Sequence, residues 1–389
     1  MNREALKKRI ITVAAFCILL IPFLSIVGIK NAISSEMYQA WQIVAMAILG
    51  VVVIVKAKDI KLNWAIAIFA VYQFVIAASS VMNNGLSMGI IMSIVVWVLL
   101  FTLLQTDYYH DIILAISIIV VVSLALNIPG MINNLDVPNV EFFIGGKNAL
   151  GIFLVPGVFF MLIRSYESNG TVSKLTMAVA LIALVVVFAG SSGTGIIVAA
   201  STVLFLIISQ KIKLKKWIFM GAIMTVYAIF IFFPEDFFIT EYWLNFTDYL
   251  GKDVSLTLRT RIWQEAAALV SNNWLFGAGR GVEITYIGSI GKWQTTYEAH
   301  NFFLEILMEG GLVALALYAV LFFKAVKGLD MSNKAHKLAF IALCIIMING
   351  LTESTVNNFF VVAMLGVACR FASEKVDSRD DNWIADSKS

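Results

Sequence analysis

Apolar runs of about 20 residues recur along most of the chain, and this recurrence limits what it can fold into. Lipid offers no partners for backbone N–H and C=O groups, so only helices and closed barrels cross a membrane. Barrel strands alternate apolar and polar residues. The runs here, such as "IIMSIVVWVLLFTLL", are continuous. Charged residues make up only 14% of the chain and hydrophobic ones 60%, whereas soluble domains run nearer a quarter charged. The expected fold is an all-α polytopic membrane protein, a single integral domain over residues 1–389.

About 12 spans are expected: residues 10–29, 38–55, 62–82, 86–104, 112–130, 143–163, 175–190, 193–209, 217–233, 302–323, 338–350 and 354–371. Residues 83–85 and 351–353 read as tight hairpins. Alternate connections are rich in Lys and Arg, from Arg3, Lys7, Lys8 and Arg9 through Lys211, Lys213, Lys215 and Lys216 to Lys334 and Lys337. The short connections of the opposite set hold only Lys30 and Lys147. Basic loops stay in the cytoplasm, so both termini are expected there. The basic start and first apolar run read as a retained signal anchor, since no small-residue cleavage site follows. One connection on the outer side, 234–301, is far longer than its peers and is expected to be functional. The polar tail, 373–389, is expected to be a flexible cytoplasmic segment. The three cysteines all fall in apolar runs and read as small core residues.

Chemistry gathers on the outer side. In "SLTLRTRIWQEAAALVSNNWLFGAGRG", Leu258, Ile262, Ala266 and Leu269 form a helical stripe suited to the membrane surface. Arg259 and Arg261 lie in its first turns, and the glycines make a tight turn expected to expose Arg280. Arg261 has a plain alternative, an ion pair with Glu265 four residues on. As a group, these arginines suit a phosphate, which the planar guanidinium grips with two parallel hydrogen bonds. The glycines are no P-loop, because no Gly-Lys-Ser/Thr follows.

The second stretch is "EAHNFFLEILMEGG". Asn301, Glu305 and Glu309 recur every fourth residue and share one helix face. Glu309 lies roughly 12 Å along the axis from Asn301. A carboxylate at that depth is costly against lipid, so this face should turn into the protein or a wet cavity. It has two readings, a buried network that orients helices or the wall of a site. His300 carries an imidazole, a side chain suited to act as a general base. Lys147 and Asn148 in "GGKNALG", Ser191, Ser192 and Thr194 in "GSSGTG", and Thr352 and Glu353 fall at the same end. Glu353 and Glu298 are further candidates to handle a proton.

The segment from Arg259 to Gly311 resembles the O-antigen ligase and Wzy-type polymerase family of bacterial membrane glycosyltransferases. The pattern falls on Arg261, Trp263, Gly277, Gly279, His300, Asn301, Glu309, Gly311 and Leu312. Two departures stand out. Ser191 is followed by Ser192 where many members carry Ser-Arg, and Ala314 stands where a glycine is common. The resemblance implies a C-type glycosyltransferase-like fold in the bacterial cytoplasmic membrane. The donor would be an oligosaccharide on undecaprenyl diphosphate, attacked at the outer face by a glycan acceptor.

In that scheme His300, Glu353 and Glu298 would be catalytic. Arg259, Arg261, Arg280 and Lys147 would bind the diphosphate. Asn301, Glu305, Glu309, Asn148 and Ser192 would support them. No metal, cofactor or nucleic acid is implied, and a chain-length regulator is a possible partner besides the bilayer. A polysaccharide polymerase is the expected activity. The alternatives are a ligase that moves glycan to another acceptor and a lipid-linked sugar flippase. A flippase should show broken helices and a polar path near the bilayer midplane.

Overall fold

The computed structural model describes residues 3–58, 60, 63–83, 85–134, 140–190, 192–211, 215–232, 255–288 and 292–386, with backbone only at 230–232, 255–258 and 375–386. Much of the long connection expected on the outer side, 234–254 and 289–291, lies outside these residues, as does Ser191. The helices are α1 (Arg3–Leu20), α2 (Val27–Ala32), α3 (Ser35–Lys56), α4 (Trp64–Met82), α5 (Met88–Leu104), α6 (Tyr109–Asn134) and α7 (Lys147–Asn169). They continue with α8 (Lys174–Ala189), α9 (Gly193–Lys211), α10 (Lys216–Phe232) and α11 (Ser255–Asn272). A hairpin of β1 (Ile284–Ile287) and β2 (Trp293–Thr296) follows, then α12 (Phe302–Gly328), α13 (Lys334–Gly350) and α14 (Phe359–Asp386).

Six of the described helices, α3, α4, α6, α7, α9 and α12, are long and apolar enough to cross a membrane, and α5, α8 and α10 are shorter apolar helices. The protein is therefore an all-α polytopic membrane protein. Side chains start many of these helices. Ser34, Asn63, Ser87, Ser173, Asn301 and Asn333 each accept a hydrogen bond from a backbone N–H of the first turn, satisfying donors the helix itself cannot.

The bundle is built around α7, whose most apolar stretch is 78% buried, while that of α3 is only 17% buried. Helices α6, α8, α9 and α13 pack around α7, and α12 packs between α4 and α14. Cys344 and Cys369 lie in this core.

Two local expectations are corrected. The stripe on α11 does not lie on a membrane surface. Ile262 and Ala266 are buried against Ile284, Ala299, Leu304 and Met308, so α11 sits on the hairpin and the start of α12. The last apolar helix starts at Phe359, not Ser354, because the polar residues of 352–358 form a loop instead of a tight hairpin. The tail continues α14 as helix to Asp386; neither Gly nor Pro follows Gly366 to end it.

Helix α12 is broken. Gly311 has φ +63° and leaves the helical path. The backbone of 274–278 fills the gap: Ala278 N donates to Met308 O (2.7 Å), Leu312 N to Trp274 O (2.9 Å) and Val313 N to Leu275 O (3.2 Å). A Cβ on Gly311 would sit 2.4 Å from the Leu275 carbonyl group, and one on Gly277 2.6 Å from Gly310 N. Both positions therefore need glycine, for space and for positive φ. Gly311→Ala is expected to destabilise the purified protein by at least about 2 kcal/mol, read as a lower thermal unfolding midpoint in detergent. Gly221→Ala is the control: it lies on α10 with no heavy atom within 4 Å of the added Cβ and should be neutral or mildly stabilising.

Candidate functional site

The site begins with the cap of α12. The Asn301 side chain accepts from Phe303 N and Leu304 N at 3.1 and 3.2 Å, and its amide donates to Leu351 O at 3.3 Å. One residue fixes both the start of α12 and the end of α13. One turn on, the Glu305 carboxylate accepts from Ala299 N (2.6 Å) and from the Ser354 hydroxyl (2.9 Å). Ser354 Oγ in turn accepts from His300 N at 2.8 Å, and Trp263 Nε1 donates to His300 O at 3.3 Å. These bonds hold His300 in a left-handed conformation, φ +49°, that non-glycine residues adopt at a cost of about 1–3 kcal/mol.

So held, the imidazole meets two carboxylates. His300 Nδ1 is 3.7 Å from Glu353 Oε2 and 4.0 Å from Glu298 Oε2. The other Glu353 oxygen, Oε1, accepts from Arg259 Nη2 at 2.6 Å and from Thr194 Oγ1 at 3.5 Å. Thr194 also pairs with Thr352 at 2.8 Å. Burial works to raise the Glu353 carboxyl, but His300 and Arg259 together outweigh it and hold its pKa below the ordinary value. Glu353 is thus an anion with a histidine on one oxygen and an arginine on the other. The His300 side chain remains 28% exposed and that of Glu298 59%, so the cluster opens to the surface.

A second network lies deeper along the same face of α12. Arg280, expected to be exposed, is buried. Its guanidinium grips Glu309 through two bonds, Nε to Oε1 at 2.9 Å and Nη2 to Oε2 at 3.0 Å. It also donates to Asn357 Oδ1 and to Ser93 Oγ (3.3 Å). Asn357 donates back to Glu309 Oε1 at 2.6 Å, and Arg280 N donates to Ser80 Oγ at 2.9 Å. The turn is forced inward because Gly279, φ +91°, lies directly on Ser80 of α4. Five pieces of chain converge on this ion pair: α4, α5, α12, the 273–283 turn and the 351–358 loop. The break in α12 beside it is plugged by 274–278 and Glu309 is neutralised, so no open polar path follows from it among the described residues.

Arg261, Lys147, Asn148 and Ser192 fall apart from the His300 cluster. Arg261 is exposed and donates to the carbonyls of Ile287 (2.7 Å) and Gly288 (3.4 Å) at the end of β1. Lys147 and Asn148 open α7; no hydrogen bond or ion pair joins them to the cluster among the described residues. Ser192 Oγ accepts from Gly195 N at 2.8 Å, at the start of α9. Glu305 and Glu309 are buried and turned inward. Among the described residues, no group of three or more His, Cys, Asp or Glu is arranged to hold a metal ion.

Ser80, Ser93, Ser354 and Asn357 were not foreseen as parts of either network. For Ser354 and Asn357 the signal was the polar run "TESTVNN" at 352–358, too long and too polar to be a hairpin feeding a span.

Residues 177–319 match the family model described as O-antigen ligase. Over this stretch the chain is similar to the O-antigen ligase family. The O-antigen ligase match starts in α8 and ends in α12, and it includes Thr194, Arg259, Arg280, His300 and Glu309. Glu353, Ser354 and Asn357 lie beyond it, yet each contacts residues inside it. Members of the family are glycosyltransferase-like polymerases or ligases, and the match supports such a role in surface polysaccharide biosynthesis. No curated protein matches the chain.

Proposed function

We propose that the chain is a bacterial surface polysaccharide polymerase, for capsule or O-antigen, joining repeat units carried on undecaprenyl diphosphate. The observation that carries this reading is the convergence of His300, Glu353 and Arg259 at the lysine-poor end of the bundle. By the positive-inside rule that end faces outward and both termini are cytoplasmic.

In this reading a hydroxyl of the acceptor glycan attacks the anomeric carbon of the donor. The bond from that carbon to the diphosphate oxygen breaks, and the electron pair leaves with the diphosphate. His300 takes the hydroxyl proton or orients the hydroxyl. Glu353 holds His300 and Arg259 in register, and Glu298 borders the opening. Arg259 neutralises charge on the departing diphosphate, with Arg261 and Lys147 as the more exposed cations able to meet it; fixed positive charge at a developing anion is a large source of rate enhancement. Arg280, paired with Glu309, supports the frame in this reading and does not touch the diphosphate.

A ligase is the second reading, favoured by the description of the matched family. Cells lacking the protein separate the two when the lipid-linked glycan at the outer face is sized by gel and mass spectrometry. Single repeat units accumulating outside are the expected result. Long chains stranded on the carrier would mean a ligase, and repeat units trapped inside would mean a flippase.

A further inference from the structure

At the lysine-rich end, opposite His300, helices α7, α8, α9 and α13 line an open-sided cavity of about 680 Å³. That volume is typical of a small-molecule site. Its walls change character with depth. Lys334, Lys337, Gln210, Ser209 and Thr171 lie at the mouth, and the wall below is apolar, with Leu184, Val203 and Ile341 among its residues. Ile341 is seven residues into α13 from Lys334, roughly 10 Å along the axis, which is about two thirds of one leaflet of hydrocarbon. No acidic residue lines the cavity. Lys337 donates to Ser209 O at 3.3 Å and Lys334 lies over the Tyr166 ring at 5.8 Å. Neither pairs with a carboxylate among the described residues.

A site with two cations at the membrane surface over an apolar slot roughly 10 Å deep fits an amphipathic anion. We infer that this cavity holds an anionic phospholipid of the leaflet at the lysine-rich end. Lys334 and Lys337 pair its phosphate, and an acyl chain fills the slot beside Leu184 and Val203. The site is separate from the His300 cluster, since α13 runs its 17 residues between them.

The test is native mass spectrometry of the full chain in detergent, titrated with phosphatidylglycerol or phosphatidylcholine of the same acyl chains. Phosphatidylglycerol is expected to half-saturate at about a 30-fold lower concentration, or about 2 kcal/mol at about 1 kcal/mol per lysine. Lys334→Ala/Lys337→Ala should remove that preference. Val203→Trp, at a partly exposed wall position, should fill the slot and weaken both lipids even if the lysine variant fails to fold. Equal binding of the two lipids would overturn the inference, as would an unchanged preference in the lysine variant. Displacement of phosphatidylglycerol by inorganic phosphate would also overturn it, because the site would then select a soluble anion.

Discussion

Arg280→Ala is expected to abolish folded protein or cut its stability by about 3–5 kcal/mol, the cost of leaving a buried charge without its partner. Glu309 is 1% exposed, and two of its hydrogen bonds come from Arg280. Domains are stable by only about 5–15 kcal/mol, so a loss of that size is a large share of the whole. The double variant Arg280→Met/Glu309→Gln removes both charges and retains Asn357 as a neighbour. It should recover much of the loss, because exchanging a buried ion pair for neutral groups of similar volume is often close to neutral. Yield of monodisperse protein and the thermal midpoint in detergent read both variants. Wild-type stability in Arg280→Ala would mean that Glu309 does not depend on the guanidinium.

His300→Ala should act in the opposite way. Loss of a positioned general base lowers rates by about 10²–10⁴, and under the proposed polymerase function a drop of that size is expected in polymerisation of lipid-linked repeat units by the purified protein. Stability should change little, since the ring is partly exposed and the backbone is held by Ser354, Glu305 and Trp263. His300→Gly separates ring from backbone, because glycine takes φ +49° without strain. If the Gly and Ala variants both fold and both lose activity, the ring carries the effect. Full activity in either would remove His300 from the reaction.

The sequence announced the features that follow from local rules. Continuous apolar runs implied spanning helices. The fourfold spacing of Asn301, Glu305 and Glu309 implied an inward polar face, and all three are buried. The end-by-end assignment of loops gathered Arg259, Thr194, Glu353 and His300 into one place. What remained illegible depends on contacts across the chain. Nothing near Arg280 says that its partner is Glu309, 29 residues on. The inward direction of the α11 stripe is set by Ile284 and Leu304, which α11 itself does not contain. Val356, apolar amid "TESTVNN", blurred the edge between loop and span and hid Ser354 and Asn357.

The break at Gly311 makes α12 and the 274–278 segment parts of one another. A helix normally closes its own backbone ladder, but here rungs are supplied from a different stretch of chain. The two pieces are therefore not modular. A chimera that exchanged only the 274–278 segment between relatives would have to bring its matching half of α12, or leave carbonyls and amides unanswered where lipid cannot answer them. Sequence change at Gly277 and at Gly311 is thereby locked together, and the connection that contains Gly277 can vary freely only where it does not complete the helix.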